Sequence, residues 1–259
     1  MSDAVRYEWM RIRTLRSTYW LIGLSLFTTA AVALILGFVS GDDPLTDSLA
    51  GLVLLGGGES AAFIPILMAI IGIMATGHEY RYGLIQPTLT ALPQRTTLLA
   101  AKLYVVAMVA IGVVLASLAI NLVIALVFWG ELPALGSDPL NQVIPGYFVL
   151  VVLYAVLGAG LALLFRGVPS AIVVLLVTPM IVETLIASLA MVPALDWLVP
   201  AVKFLPFMAG DRLISIDPGN VGGAADFNLL DRWPSGGVFA LFVIMVVGVA
   251  WLRFRSRDA

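Results

Sequence analysis

Residues 77–102 read G-H-E-Y-R-Y-G-L-I-Q-P-T-L-T-A-L-P-Q-R-T-T-L-L-A-A-K, a polar island between two long apolar runs. It holds the only histidine, His78, beside Glu79 and Arg81, with Arg95 and Lys102 further on. Pro87 and Pro93 break any continuous helix through it. The island decides the fold because what flanks it is hydrocarbon. Ala61–Thr76 before it is a short span whose Pro65 predicts a kink or a broken start. Leu98–Trp129 after it is apolar apart from Lys102, Ser117 and Asn121. That run exceeds the ~20 residues one perpendicular crossing needs, so it must tilt or project beyond the bilayer.

The same pattern continues in both directions. Tyr19–Val39 is the first span, followed by the turn-rich loop Ser40–Gly58 with Asp42, Asp43, Asp47 and a Gly56–Gly58 triplet read as flexible. Downstream lie Gly130–Ile144, a short acidic loop, and Pro145–Phe165, the fourth span. A tight turn at Arg166–Pro169 leads to the fifth span, Ser170–Val192, interrupted by Pro179 and Glu183. Residues 193–237 form a long outer segment, apolar over Trp197–Ile216, where short interfacial helices are expected. Val238–Leu252 is the last span, stopped by Arg253, Arg255 and Arg257. The expectation is a single all-α domain with six membrane spans.

Composition agrees with this reading. Of 259 residues, 61% are hydrophobic and 12% charged, and mean hydropathy is +1.05. A soluble domain carries about twice that charge. Zero cysteines exclude disulfides, thiolate catalysis and zinc–thiolate sites. A net charge of −2 gives no basic field for nucleic acid. Placing the N-terminus inside puts eleven of the fourteen Lys and Arg on the cytoplasmic side, including Arg81, Arg95, Lys102, Arg166 and the C-terminal arginines. Only Lys203, Arg212 and Arg232 then lie outside, against eleven acids. The positive-inside bias therefore predicts both termini in the cytoplasm.

Residues 1–18 carry Arg6, Arg11, Arg13 and Arg16 against Asp3 and Glu8. At helical spacing Val5, Trp9 and Ile12 share a face, with Tyr7, Arg11 and Thr14 opposite. A basic amphipathic helix with an aromatic on its apolar side lies in the membrane interface. Trp9, Arg11, Arg13 and Arg16 are its candidate anchors. A solvated basic leader that only fixes topology is the alternative.

The chain lacks G-x-x-x-x-G-K-[ST] and H-E-x-x-H, so it has neither a P-loop nor a zincin motif. One histidine cannot build a His-rich metal site, and catalytic residues are not expected. Glu183 is the one acid deep in a span. Intramembrane carboxylates face a cavity or a partner and are functional by default; the structural alternative is a hydrogen bond to a neighbouring helix. Glu183, Pro179 and Asn121 are the candidate path or gating residues, with interhelical glue as the other reading of Asn121. Gly112-x-x-x-Ala116, Ala155-x-x-x-Ala159 and Gly158-x-x-x-Ala162 permit close packing. Ala- and Gly-rich spans produce such patterns by chance, so these locate no interface by themselves.

The residues leave two readings of the island open. It is either a short charged helix that inserts into a groove of a soluble partner, or an ordinary loop whose Arg95 and Lys102 snorkel to the headgroups.

The stretch E-Y-R-x-G-L-I-Q-P-T-L-x-A-L-P-Q-R-x-x-L-L-A-A-K resembles the intracellular segment of ABC-2-type transporter permeases, the membrane subunits of ATP-binding-cassette exporters. Leu84 stands where those proteins usually have threonine, and Gln94 where a basic residue is common. Phe204-Leu-Pro-Phe207 and the succession of spans are similar as well. The resemblance implies that Glu79, Tyr80, Arg81 and Gly83 belong to a coupling helix docking on a separate ATPase subunit. It implies an interfacial elbow in residues 1–18, re-entrant helices after Pro193, and a homodimer of permeases. ATP and Mg would sit on the partner, and this chain would hold no cofactor and perform no catalysis. The setting implied is a bacterial cytoplasmic membrane, with a hydrophobic or amphipathic cargo moved by alternating access. Rival readings are an ion-coupled secondary carrier, with Glu183 taking a proton, and a non-transporting anchor or sensor for a soluble partner.

Overall fold

The structure, a computed structural model, describes residues 2–41, 43–57, 63–81, 95–216 and 229–256. Every regular element among them is helical. The amino-terminal half comprises α1 (Ser2–Thr14), α2 (Arg16–Ser40), α3 (Asp47–Leu55), α4 (Phe63–Arg81) and α5 (Arg95–Trp129). Then come α6 (Leu140–Phe165) and α7 (Val168–Val177), which runs through a π-helical turn (Thr178–Glu183) into α8 (Thr184–Ala190). A 3-10 turn (Pro193–Leu198), α9 (Val199–Val202), α10 (Pro206–Asp211) and a second 3-10 turn (Arg212–Ile214) lead to α11 (Arg232–Ser256).

Six stretches among the described residues are long and apolar enough to cross a membrane: Arg16–Ser40, Phe63–Tyr80, Thr96–Trp129, Leu140–Phe165, Val168–Ala190 and Arg232–Arg255. The architecture is that of an all-helical multi-pass membrane protein. Most spans extend beyond the apolar runs, because polar residues continue a helix once an apolar segment has nucleated it. The second span persists through Gly77–Arg81, so the island's first turn belongs to α4. Pro65 sits in the first turn of α4, where its missing N–H has no helical partner to lose. Residues 82–94, with Gly83, lie outside the described residues. Helix α5 is unbroken over 35 residues, about 52 Å at 1.5 Å per residue, and so outruns a ~30 Å hydrocarbon core.

Helices α4 and α6 form the centre. The apolar span of α4 is 67% buried, whereas that of the fifth span is 11% buried. Two of the three small-residue motifs do mark a contact. A methyl at Gly158 would run into the Ala69 backbone, and one at Gly72 into the Ala155 carbonyl and the Ala159 nitrogen. The third motif is idle, since a methyl at Gly112 would meet nothing. Backbones in close approach gain dispersion contacts, which drive helix association where there is no hydrophobic gain.

The loop expected at Ser40–Gly58 instead contains α3. Thr46 caps it by accepting the Leu49 N–H at 3.3 Å. Gly56, at φ 68°, ends it in the left-handed conformation, and the Gly57 N–H reaches back to the Leu52 carbonyl at 2.7 Å. A side chain at Gly56 would also strike Thr29, so this glycine is a cap and not a flexible link. Ala50 and Leu54 of α3 pack with Leu140, while Val53 packs with Ala33 and Ala125.

The first and last described helices, α1 and α11, reach the same end of the bundle. Phe254 of α11 packs with Leu99 near the start of α5 and with Leu163 near the end of α6, and Tyr80 of α4 borders them. Helix α1 joins that end too. We refer to it as the island end, and to the opposite one as the far end.

Candidate functional site

Four charged side chains meet at the island end, from helices far apart in sequence. Glu8 and Arg11 stand three residues apart on one face of α1, the spacing at which helical neighbours touch. Glu79 projects from the last turns of α4, and Lys102 from the third turn of α5. Lys102 Nζ donates to Glu8 Oε1 at 2.8 Å and to Glu79 Oε1 at 2.6 Å. Arg11 pairs with Glu8 Oε2 at 3.1 Å, and also with Glu79 Oε1. Its Nη2, the nitrogen nearest Glu8, donates to the Ala75 carbonyl, one turn before Glu79. Each cation thus bridges two carboxylates, and the quartet is neutral as a whole.

Burial makes this arrangement demanding. Glu8 is 0% exposed, Glu79 2% and Lys102 4%. Desolvating each ion costs several kcal/mol, offset only when every charge is matched. The alternating signs supply that match.

The geometry corrects several expectations. Glu79 does not present its carboxylate to a partner; it is turned inward and held by two cations. Lys102 does not snorkel, because both of its carboxylate partners lie within the packed helices. On α1 the face toward the bundle is Ala4, Glu8 and Ile12, with Arg11 at its edge. Trp9, expected to anchor α1 in the membrane interface, lies off that face and is 42% exposed. Arg11, expected on the polar side, is drawn in by Glu79. Arg13 and Arg16 are exposed. Tyr80 is half-buried beneath the Arg166 guanidinium, 5.9 Å from its ring centroid. Arg81 is the last residue of α4.

A third buried carboxylate marks the far end. Pro179 has no N–H and crowds the carbonyl four residues back, and here the helix widens into the π turn that ends at Glu183. Glu183 Oε1 accepts the Phe207 N–H at 2.9 Å, and Oε2 accepts the Met208 N–H at 2.8 Å. These are first-turn amides of α10, so the carboxylate caps that short helix. Phe207 packs among Tyr154, Phe239 and Phe242, with ring centroids 5.7–5.9 Å from its own. Glu183 therefore ties the fifth span to a helix seated on α6 and α11. Nearby, Arg232 donates to the Leu213 and Ser215 carbonyls at 2.8 and 2.7 Å, fastening α11 to the same segment.

Asn121 proves to be glue. It is fully buried, and its amide donates to Thr29 Oγ1 at 2.8 Å and to the Leu54 carbonyl at 2.9 Å, joining α5 to α2 and α3. Helix α3 packs over it.

Residues 60–259 match the profile of a family described as "Protein of unknown function (DUF2705)". The chain belongs to that family. No curated protein matches it. The DUF2705 region contains Glu79, Lys102 and Glu183, whereas Glu8 and Arg11 precede it. Half of the island-end quartet is thus contributed by the helix ahead of the family-defining stretch.

Proposed function

We propose that this chain is the permease subunit of an ATP-binding-cassette exporter of the ABC-2 type, working as a homodimer with a separate ATPase in a bacterial cytoplasmic membrane. The observation that carries this reading is the quartet. It fastens α1 to the exit of α4 and the start of α5, the two helices that residues 82–94 join in sequence. A soluble ATPase pressing on that segment would move three helices together. On this reading the island end is cytoplasmic and α1 is the elbow lying along the membrane. Arg81 and Gly83 belong to the docking surface, and Glu79 belongs to the lever behind it.

At the other end, the Glu183 tie would pass movement of the fifth span to α10, which covers the outer end of a path for hydrophobic or amphipathic cargo. ATP and Mg would bind the partner, and this chain would supply the path and the lever. A proton-coupled carrier would need Glu183 to exchange a proton with water; both its oxygens accept backbone N–H groups, which argues against that role.

The experiment is a mild-detergent pull-down from native cells of wild type and of Arg81→Glu, with co-purified proteins assayed for ATP hydrolysis. Arg81 is chosen because Glu79 substitutions would disturb the fold. The expected result is a P-loop ATPase retained by wild type and lost from the variant. Wild type that retains no ATPase would sink the proposal.

A further inference from the structure

Helix α1 turns one face to the bundle and another to its surroundings. Ala4, Glu8 and Ile12 are buried, and Arg11 is committed to the quartet. Arg6, Met10 and Arg13 follow at steps of four and three, so they share the face turned away from the bundle. All three are exposed, with exposed Trp9 beside them and exposed Arg16 just beyond the helix. Among the described residues none of Arg6, Arg13 and Arg16 forms an ion pair. Asp3 is the one acid exposed on α1, so three cations stand there against a single carboxylate.

We propose that this outward face binds the headgroups of anionic phospholipids, Arg6 and Arg13 holding phosphate oxygens and Trp9 seated beside them. Two observations select that partner. The first is depth. On α5 the large exposed aliphatic side chains, Met included, run from Met108 to Val127, a rise of roughly 29 Å that matches a ~30 Å hydrocarbon core. Exposed Tyr104 stands one turn outside Met108, and Lys102 of the quartet lies just beyond it. On α2 exposed Trp20 likewise stands one turn before Leu24, the first large exposed aliphatic residue of that helix. Tyrosine and tryptophan in those places mark the headgroup level. The quartet holds Glu8 and Arg11, which lie between Arg6 and Arg13, so the outward face of α1 is fixed at that level. The second observation is charge. A guanidinium fork matches phosphate oxygens in pairs, and the excess of cations favours lipids with net negative charge. An acidic soluble protein would answer the same charge, but Met10 between the arginines and Trp9 at their side fit the acyl boundary. The inference rests on α1 lying along the membrane and not on ATP-driven export; a pull-down without an ATPase would leave it standing.

Fluorescence quenching in bilayers tests it. The chain has no natural cysteine, so Met10→Cys in the full chain carries a single fluorophore on the outward face of α1. The labelled protein is reconstituted in phosphatidylcholine bilayers with a small fraction of quencher lipid. The quencher is either phosphatidylglycerol or phosphatidylcholine bearing a nitroxide near the glycerol end of one acyl chain. Phosphatidylglycerol should be enriched beside the probe by about fivefold, the worth of one arginine at an anionic surface. Arg6→Gln/Arg13→Gln, at exposed positions outside the quartet, should remove most of that preference. Equal quenching by the two lipids with both arginines present would overturn the proposal. So would a preference that survives the double substitution undiminished. Quenching by neither lipid would mean that the face meets water or a soluble partner, and would overturn it as well.

Discussion

Two carboxylates from this chain are buried at opposite ends of the bundle, and they are satisfied in different ways. Glu79 meets two cations, whereas Glu183 meets two backbone N–H groups. The first solution is electrostatic and tolerant of direction: charges attract over several ångströms, so α1, α4 and α5 can shift together without losing the match. The second depends on angle, because a hydrogen bond weakens steeply as its donor tilts. Glu183 and α10 therefore hold one relative orientation or part. The island end is held by charge, and the far end by direction.

The largest effect should come from breaking the charge match. Lys102→Met leaves Glu8 and Glu79 sharing Arg11 alone, and should cost about 3–5 kcal/mol. The readout is the thermal midpoint of detergent-purified protein, followed by size-exclusion chromatography after heating. Adding Glu79→Gln to Lys102→Met should recover part of that loss, since one uncompensated charge goes with it. If the double variant is no more stable than the single, the quartet is not acting as matched charges.

Releasing the far end should cost less. Glu183→Ala leaves the buried Phe207 N–H and the part-buried Met208 N–H without the carboxylate, and should cost about 1–3 kcal/mol in all once water reaches them. The sharper test is accessibility. The natural chain has no cysteine, so Ala209→Cys, at a buried position of α10, reports without background. Maleimide labelling should be slow with Glu183 present and several-fold faster in Glu183→Ala; equal rates would mean that the carboxylate does not hold α10. Glu183→Gln retains one acceptor and should label at an intermediate rate. On the exporter reading it also keeps expression and lowers transport.

The smallest effect belongs to Asn121, a neutral tie between the two charged ones. Asn121→Ala should cost about 1 kcal/mol in the same thermal assay, the usual size of an interhelical polar contact in a membrane. A loss as large as that of Lys102→Met would erase the distinction between neutral and ionic ties.

The spans were legible because hydrocarbon thickness imposes length, and runs such as Tyr19–Val39 state it directly. Their polar ends were less so, as at Gly77–Arg81, where tertiary packing carries a helix past its apolar segment. Helix α3 was missed although its signals were present: Thr46 as cap, a run from Leu49 to Leu55, and Gly56 at its close. Nine residues fall short of a span, and the surrounding Asp and Gly read as loop. The quartet was illegible as a set because Arg11 and Glu79 are 68 residues apart, and Glu8 and Lys102 are 94 apart. Two faint signs existed. Glu8 occupies the Ala4–Ile12 row at steps of four, and Lys102 stands two turns inside an otherwise apolar helix. Glu183 was flagged correctly as a buried acid; its partners, backbone amides of α10, carry no sequence signature.

The π turn at Thr178–Glu183 divides the fifth span into two half-helices that are out of phase. A π turn takes up one residue more than the α turn it replaces, so α8 faces much as it would on an unbroken helix one residue shorter. A one-residue deletion ahead of Glu183 inside Thr178–Glu183 should therefore be absorbed by loss of the π turn, with the carboxylate still directed at α10. A one-residue insertion there has no such slack and would turn everything beyond by about 100° relative to α7, so the seat of α10 tolerates a residue lost here better than one gained.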